Sequence, residues 1–134
     1  MAQESPAIQG FEGMPPTLVL AEALDLIREA VQASLRCGAL AREDFQIIDA
    51  ALVGSRVNAT ARTGSDLDLV VEYRGRMRED DVFNFFGEMR EEGALRLHGV
   101  DIDVNPVKCD ENGSLDTWMR WYTGSAIRTR MSSV

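Results

Sequence analysis

Two aspartates one residue apart, Asp66 and Asp68, open an apolar run that continues Leu-Val-Val-Glu-Tyr to Tyr73. On a strand, successive side chains point to opposite faces. Asp66, Asp68, Val70 and Glu72 then share one face, and Leu67, Leu69, Val71 and Tyr73 the other. The two carboxylates lie side by side, with Cα atoms roughly 7 Å apart. Like charges that close on the end of a buried strand call for a cation between them. A second run over residues 100–106, Val-Asp-Ile-Asp-Val-Asn-Pro, repeats the pattern and puts Asp101, Asp103 and Asn105 on one face. Three carboxylates converging from two strands make a hard, oxygen-rich site. Magnesium suits such a site, keeping several waters and taking substrate phosphates as further ligands. Two such ions about 3.5–4 Å apart can clamp the attacking and leaving oxygens of an in-line displacement.

A small-residue turn, Gly54-Ser55, follows the apolar run of residues 47–53. Glycine lets a backbone approach a phosphate closely, and successive N–H groups can cradle its oxygens. Ser55 adds a hydroxyl donor, and Arg56 and Arg62 are candidates to pair with triphosphate charge. Each feature also has a plainer reading. Gly-Ser by itself is an ordinary turn, and Asp-x-Asp is common on solvated strand ends. Arg62 suits a solvated surface as well as a phosphate. His98 reads as a loop residue beside Gly99 rather than a general base, and Glu72 as structural. Trp118, Trp121 and Tyr122 read first as helix packing. The chemical reading rests on the conjunction: strand, Gly-Ser, a fixed gap, Asp-x-Asp on a new strand, then Asp on a third.

The elements that must position these residues follow from periodicity. Residues 1–14 carry Gly, Pro and Gln without clear period and are expected as a poorly ordered arm, with a single domain over 15–134. Pro15 and Pro16 suit a helix start, Leu20, Leu24, Ile27, Val31 and Leu35 keep helical spacing, and Gly38 is a stop. A central strand is expected within 45–53, and a short helix over 57–63. Thr63-Gly64-Ser65 is a turn into the strand 66–73. Glu79, Asp80 and Asp81 favour a helix N-terminus. Val82, Phe85, Phe86 and Met89 form its buried stripe, and Gly93 its stop. A third strand covers 100–105 and ends at Pro106. Ser114 caps a last helix carrying Leu115, Trp118, Met119 and Tyr122 on one face. Residues 127–134 stay unassigned. The order is that of an α/β (α+β) domain, a small mixed β-sheet covered by helices.

Composition sets limits. The chain has 134 residues, 45% hydrophobic and 27% charged, which suits one core. A net charge of −8 argues against sequence-independent binding to nucleic acid, which draws on Lys and Arg at phosphates. The basic side chains are nearly all Arg, with Lys108 the single lysine. No apolar run reaches the length of a membrane span, and no signal peptide is read at the N-terminus. Cys37 and Cys109 lack metal spacing and read as buried free thiols of a reducing, cytoplasmic compartment.

The conjunction resembles the DNA polymerase β-like nucleotidyltransferase superfamily, whose signature is Gly-Ser, about ten residues, Asp-x-Asp opening a strand, and a later third Asp. Gly54-Ser55, the ten positions 56–65 and Asp66-Leu67-Asp68 match that spacing. The text from Gly54 to Val71 is similar to the small prokaryotic minimal nucleotidyltransferase branch. The resemblance covers residues 47–106. It implies that Asp66 and Asp68 bind Mg2+ (or Mn2+), that Asp103 or Asp101 completes the site, and that Gly54 and Ser55, with Arg56, Arg62 and Ser65 around them, hold the triphosphate of ATP or another NTP. Asp103 is preferred for its setting in Ile-Asp-Val-Asn-Pro; Asp101 shares its face and stays open. Ala59 stands where the branch usually has glycine, a change that would stiffen the phosphate loop. Larger members carry a second domain for the acceptor. Here the acceptor site is expected from Trp118 onward, from a second copy, or from another protein.

The leading expectation is an enzyme that moves a nucleoside monophosphate, AMP from ATP, to a hydroxyl of a protein or small molecule and releases pyrophosphate. The alternative is a weakly catalytic or non-catalytic antitoxin subunit that masks a helical partner, as the resemblance implies for some small members. A small-molecule adenylyltransferase of the antibiotic-resistance kind is a third reading. Positions 118 and 122 share a helix face, while 121 is rotated about 100° from 122. One Trp is thus expected outside the core, at a homodimer or helical-partner contact formed by residues 118–134.

Overall fold

In the computed structural model, which describes residues 7–109 and 113–128, the first helix begins where its prolines allow. Pro15 is the N-cap and Pro16 the first residue of α1 (Pro16–Arg36), where a missing N–H leaves no bond unmade. Its buried stripe includes Val19, Leu20, Leu24, Ile27 and Val31, and the chain leaves through Gly38 in the left-handed region. The strand β1 (Gln46–Val53) runs antiparallel to β2 (Leu67–Arg74). Helix α2 (Glu79–Glu91) carries the expected acidic first turn and crosses over to place β4 (Val100–Lys108) parallel to β2. A parallel pair needs such a crossover. The two-residue strand β3 (Arg96–Leu97) forms a hairpin with β4 through His98 and Gly99. Helix α3 (Leu115–Trp121) is capped by the Ser114 hydroxyl, which accepts from the Thr117 amide.

The described residues form a five-stranded mixed sheet in the order β3-β4-β2-β1-β5, an α+β fold. Alternation divides its two faces. Leu67, Leu69, Val71, Tyr73, Ile102 and Val104 join α1 and α2 in the main core. Ala51, Val53, Val70 and Val107 pack with Leu115 beneath α3 in a smaller one. Fully burying one such aliphatic side chain stabilises by about 1.5–3 kcal/mol. Glu72 belongs to the smaller face, buried, and its carboxylate accepts from the Leu115 amide at 3.0 Å. It holds the start of α3, where a negative charge is favoured, and so is structural as expected.

Several expectations change. No helix forms over 57–63, because Ala59 is left-handed (φ +59°) and the Asn58 side chain turns back to accept from Ser125 and donate to Gly54. Pro106 does not end its strand: it lies within β4 opposite Val71. The Ile102 and Lys108 amides donate away from β2, to Leu95 and Glu79, and Pro106 shares their side by alternation, so its missing N–H breaks no bond to β2. Ile127–Arg128, expected unassigned, form β5, antiparallel to β1 at Ala51 and Leu52. Residues 129–134 lie outside the described residues, as do 1–6 and 110–112. The remainder of the expected arm is packed: Ile8 and Phe11 are in the main core. Cys37 is exposed rather than buried, and neither cysteine is in a disulfide. No described helix is long and apolar enough to cross a membrane.

Candidate active site

The register of β2 against β4 sets the carboxylates. Leu67 pairs with Ile102 and Leu69 with Val104, and all four side chains enter the main core. The residues between them, Asp68 and Asp103, are therefore Cα partners on the opposite face, at the start of both strands. Asp66 precedes β2 by one residue. Its Oδ2 accepts from Nη1 of Arg90 at 2.6 Å, and the same nitrogen lies 3.7 Å from Oδ1 of Asp103. Arg90 comes from the last turn of α2, which packs on β4. Asp101 is on the hairpin side and is paired instead with Arg96 at 3.0 Å. The cluster of described side chains is thus Asp66, Asp68, Asp103 and Arg90.

Its electrostatics follow from crowding. Burial, then the charges of Asp103 and Asp66, push the half-buried Asp68 carboxyl from 3.8 up to about 6, and a hydrogen bond to Asp103 adds to this. Asp103 is also raised, chiefly by burial and further by Asp66, while Arg90 and the bond from Asp68 oppose the rise. The hydrogen-bond effects have opposite sign, raising Asp68 and lowering Asp103, so a proton taken up by the pair is favoured on Asp68.

A divalent cation can be tested against this arrangement. No group of three or more His, Cys, Asp or Glu side chains among the described residues is arranged as a metal site. The Arg90 guanidinium instead bridges Asp66 and Asp103. The donor chemistry nevertheless fits a hard cation: three carboxylates, two of which already contact one guanidinium. The cluster holds a positive charge as it stands.

The Gly-Ser turn sits against the same cluster. Gly54 is left-handed (φ +87°), and a Cβ built on it would overlap Oδ2 of Asp68. Only glycine brings the end of β1 this close to the carboxylate. The Gly54 amide donates to the Tyr122 hydroxyl at 2.9 Å, and its carbonyl accepts from the backbone and side chain of Asn58. By contrast, the amides of Ser55, Arg56 and Val57 donate to no acceptor among the described residues. Three successive amide donors without partners form a site suited to an anion.

The arginines divide. Arg56, expected to reach the triphosphate, is buried, and its side chain is spent on carbonyls: Nε and Nη2 donate to Ser65 at 2.9 and 2.8 Å, and Nη1 to Gln9 at 2.8 Å. It closes the loop on itself. Arg62 is exposed, and its contacts among the described residues are backbone ones: its amide donates to the Ser65 hydroxyl and its carbonyl accepts from the Ser65 amide. Gln9 braces the loop from outside, exchanging two side-chain bonds with the Ala61 backbone at 3.0 Å each. His98 contacts Glu22 at the far hairpin, away from the cluster. Sequence reasoning missed Arg90, Gln9, Asn58 and the Tyr122 contact. The one available signal was Arg90, the lone basic residue in the last turn of a helix that crosses between the two acidic strands.

A family model described as a nucleotidyltransferase domain matches residues 39–119, a span that holds the Gly54 turn, all three carboxylates and Arg90. No curated protein and no solved structure matches the chain significantly.

Proposed function

The chain belongs to the nucleotidyltransferase domain family, and from that premise we propose that it transfers AMP from ATP to a hydroxyl of a protein or small-molecule acceptor. The observation that carries this reading is the meeting of two parts. A turn with three amides that have no acceptor among the described residues, Ser55 to Val57, is pressed through Gly54 against a pair of crowded, facing carboxylates, Asp68 and Asp103. The first part suits phosphate oxygens and the second a cation and a proton.

In the reaction, the acceptor oxygen bonds to the α-phosphorus, and the bond from that phosphorus to the bridging β-oxygen breaks, so pyrophosphate leaves. Asp66, Asp68 and Asp103 would hold Mg2+ or Mn2+, which supplies neutralisation of the triphosphate charge when bound. The amides of Ser55, Arg56 and Val57 and the Ser55 hydroxyl bind the β- and γ-phosphates. The exposed Arg62 pairs with the remaining charge. Asp103, with its raised affinity for a proton, takes the proton of the acceptor hydroxyl. Positioning and charge supply most of such a catalyst's effect.

The acceptor lies on the α3 side. Trp121 is 84% exposed while Trp118 is packed and stacked on Tyr122, so one Trp stands outside the core as its helical position requires. That surface is the contact for a second copy or a helical partner. The second reading, a binding subunit that masks a partner, draws on Arg90, which keeps the cluster neutralised without a metal.

The test is transfer of label from α-labelled ATP, with magnesium or manganese, to candidate acceptors, including a co-purifying helical protein. Label should move with the wild-type chain and fall at least a hundredfold with Asp68→Asn or Asp103→Asn. Absence of transfer with all acceptors, together with full partner binding by both variants, would leave the masking subunit as the better account.

A further inference from the structure

The unpartnered amides of the Gly-Ser turn need an explanation. Arg56 and Val57 are buried residues whose amides have no acceptor among the described residues, and backbone donors in a folded chain are nearly always paired with protein, water or ligand. A flexible turn would rotate to satisfy them internally. This one is held from outside. The Tyr122 hydroxyl accepts from the Gly54 amide at 2.9 Å and from Nδ2 of Asn58 at 3.0 Å. The same Nδ2 lies 2.9 Å from the Gly54 carbonyl. Oδ1 of Asn58 in turn accepts from the Ser125 amide at 2.8 Å. Both backbone groups of Gly54 are thereby fixed by residues 64 or more positions apart in sequence or by Asn58 across the turn. The Tyr122 ring is itself set by Trp118, with centroids 5.1 Å apart and planes at 22°. The backbone just beyond passes so near that a Cβ on Gly124 would overlap the Tyr122 hydroxyl.

We propose that Tyr122 is a positioning residue for the phosphate-binding turn: with Asn58 it pins Gly54 so that the amides of Ser55, Arg56 and Val57 stay open for the polyphosphate of a nucleotide. The inference rests on the nucleotidyltransferase reading above and extends it, because it makes the segment after α3 part of the nucleotide site rather than only an acceptor or partner surface. Tyr122 acts through Gly54 and touches no reacting atom. Its loss therefore weakens polyphosphate binding and leaves the chemistry of a bound nucleotide intact.

The experiment measures binding of ATP and of inorganic tripolyphosphate by calorimetry, with amide shifts of Ser55, Arg56 and Val57 followed by NMR. Tyr122→Phe removes the hydroxyl and keeps the stack on Trp118. Loss of one hydrogen bond's worth of pre-organisation should raise both dissociation constants about fivefold. The KM for ATP should rise by the same factor with kcat unchanged, a split that general loss of fold would not give. Gly124→Ala, whose methyl group would overlap the Tyr122 hydroxyl, its ring carbon Cζ and Nδ2 of Asn58, should reproduce the effect. Leu18→Ala, on an exposed side chain of α1, should not. If wild type binds ATP and tripolyphosphate but Tyr122→Phe binds them equally well or more tightly, the positioning role is refuted and the nucleotide site stands. If wild type binds neither, with no shift of the three amides, the phosphate-turn reading and this inference fall together.

Discussion

Replacing Asp68 with asparagine should stabilise the metal-free protein at neutral pH. The Asp68 carboxyl is raised from 3.8 to about 6, first by burial and then by Asp103 and Asp66. A group that binds its proton more tightly when folded favours the folded state while it is protonated. That advantage is full near and below the unfolded value, about 3.9, and is lost as pH rises through about 6. The shift corresponds to at most about 3 kcal/mol, and half-burial with solvent screening reduces this to about 1–2 kcal/mol. Asparagine cannot ionise, yet its Nδ2 can donate to Asp103 as the protonated Asp68 does, so it mimics the acid form at every pH. The variant should melt about 3–7 °C above wild type at pH 7.5 in the presence of a chelator, with the gap closing near pH 4.5. Scanning calorimetry of both proteins at several pH values between 4.5 and 7.5 checks this, because titrations common to both cancel in the difference. A gap that stays constant with pH, or that widens as pH falls, would refute the raising of Asp68 by burial and its neighbouring carboxylates.

Three further outcomes follow from the same contacts. Arg90→Met should lower metal-free stability by about 1–2 kcal/mol, since it removes a charge-assisted bond from a partly exposed site, and should enlarge the thermal shift produced by magnesium or manganese; an undiminished melting temperature would show that Arg90 does not neutralise the cluster. Ala59→Gly should raise stability by about 0.5–1 kcal/mol in a denaturant titration, because the left-handed conformation at φ +59° costs an alanine about 1–2 kcal/mol and glycine gives part of that back in unfolded-state entropy. Trp121→Ala should leave the melting curve within about 0.5 kcal/mol of wild type and weaken self-association or partner capture in light scattering.

The parts of the fold legible in the sequence were those whose signal is local and repeated. Helix α1 announced itself through two prolines and a five-member apolar stripe, and β2 through strict alternation that also fixed the face of its aspartates. The strands β3 and β5 have two residues each, too few for any period, and are strands only because β4 and β1 lie alongside. Pro106 misled for a related reason. Whether a proline ends a strand depends on which side its missing N–H faces, and that is set by the sheet order. Within the site, the carboxylates were legible because their spacing is short. Choosing Asp103 over Asp101 needed Arg96, which reaches Asp101 through the hairpin.

The arginines carry this difference furthest. Arg56 and Arg62 are both candidates for phosphate from their nearness to the Gly-Ser turn in the chain, and Arg62 reads equally as a surface residue. Their uses diverge because a guanidinium takes whatever acceptors surround it, and in the protein those come from distant segments. Around Arg56 they are the Ser65 and Gln9 carbonyls, the second of them 47 residues away. The stretch of residues 7–14, which reads as an unpatterned arm, thereby braces the loop after Gly54 through Gln9. Arg90 meets carboxylates only because the crossover of α2 delivers its last turn beside Asp66. A chain of net charge −8 can thus hold a concentrated group of acids without a metal by drawing one cation from a neighbouring helix. For the divalent ion proposed at these carboxylates, affinity would depend on how readily Arg90 gives up Asp66, since a guanidinium and a cation compete for the same carboxylate oxygen.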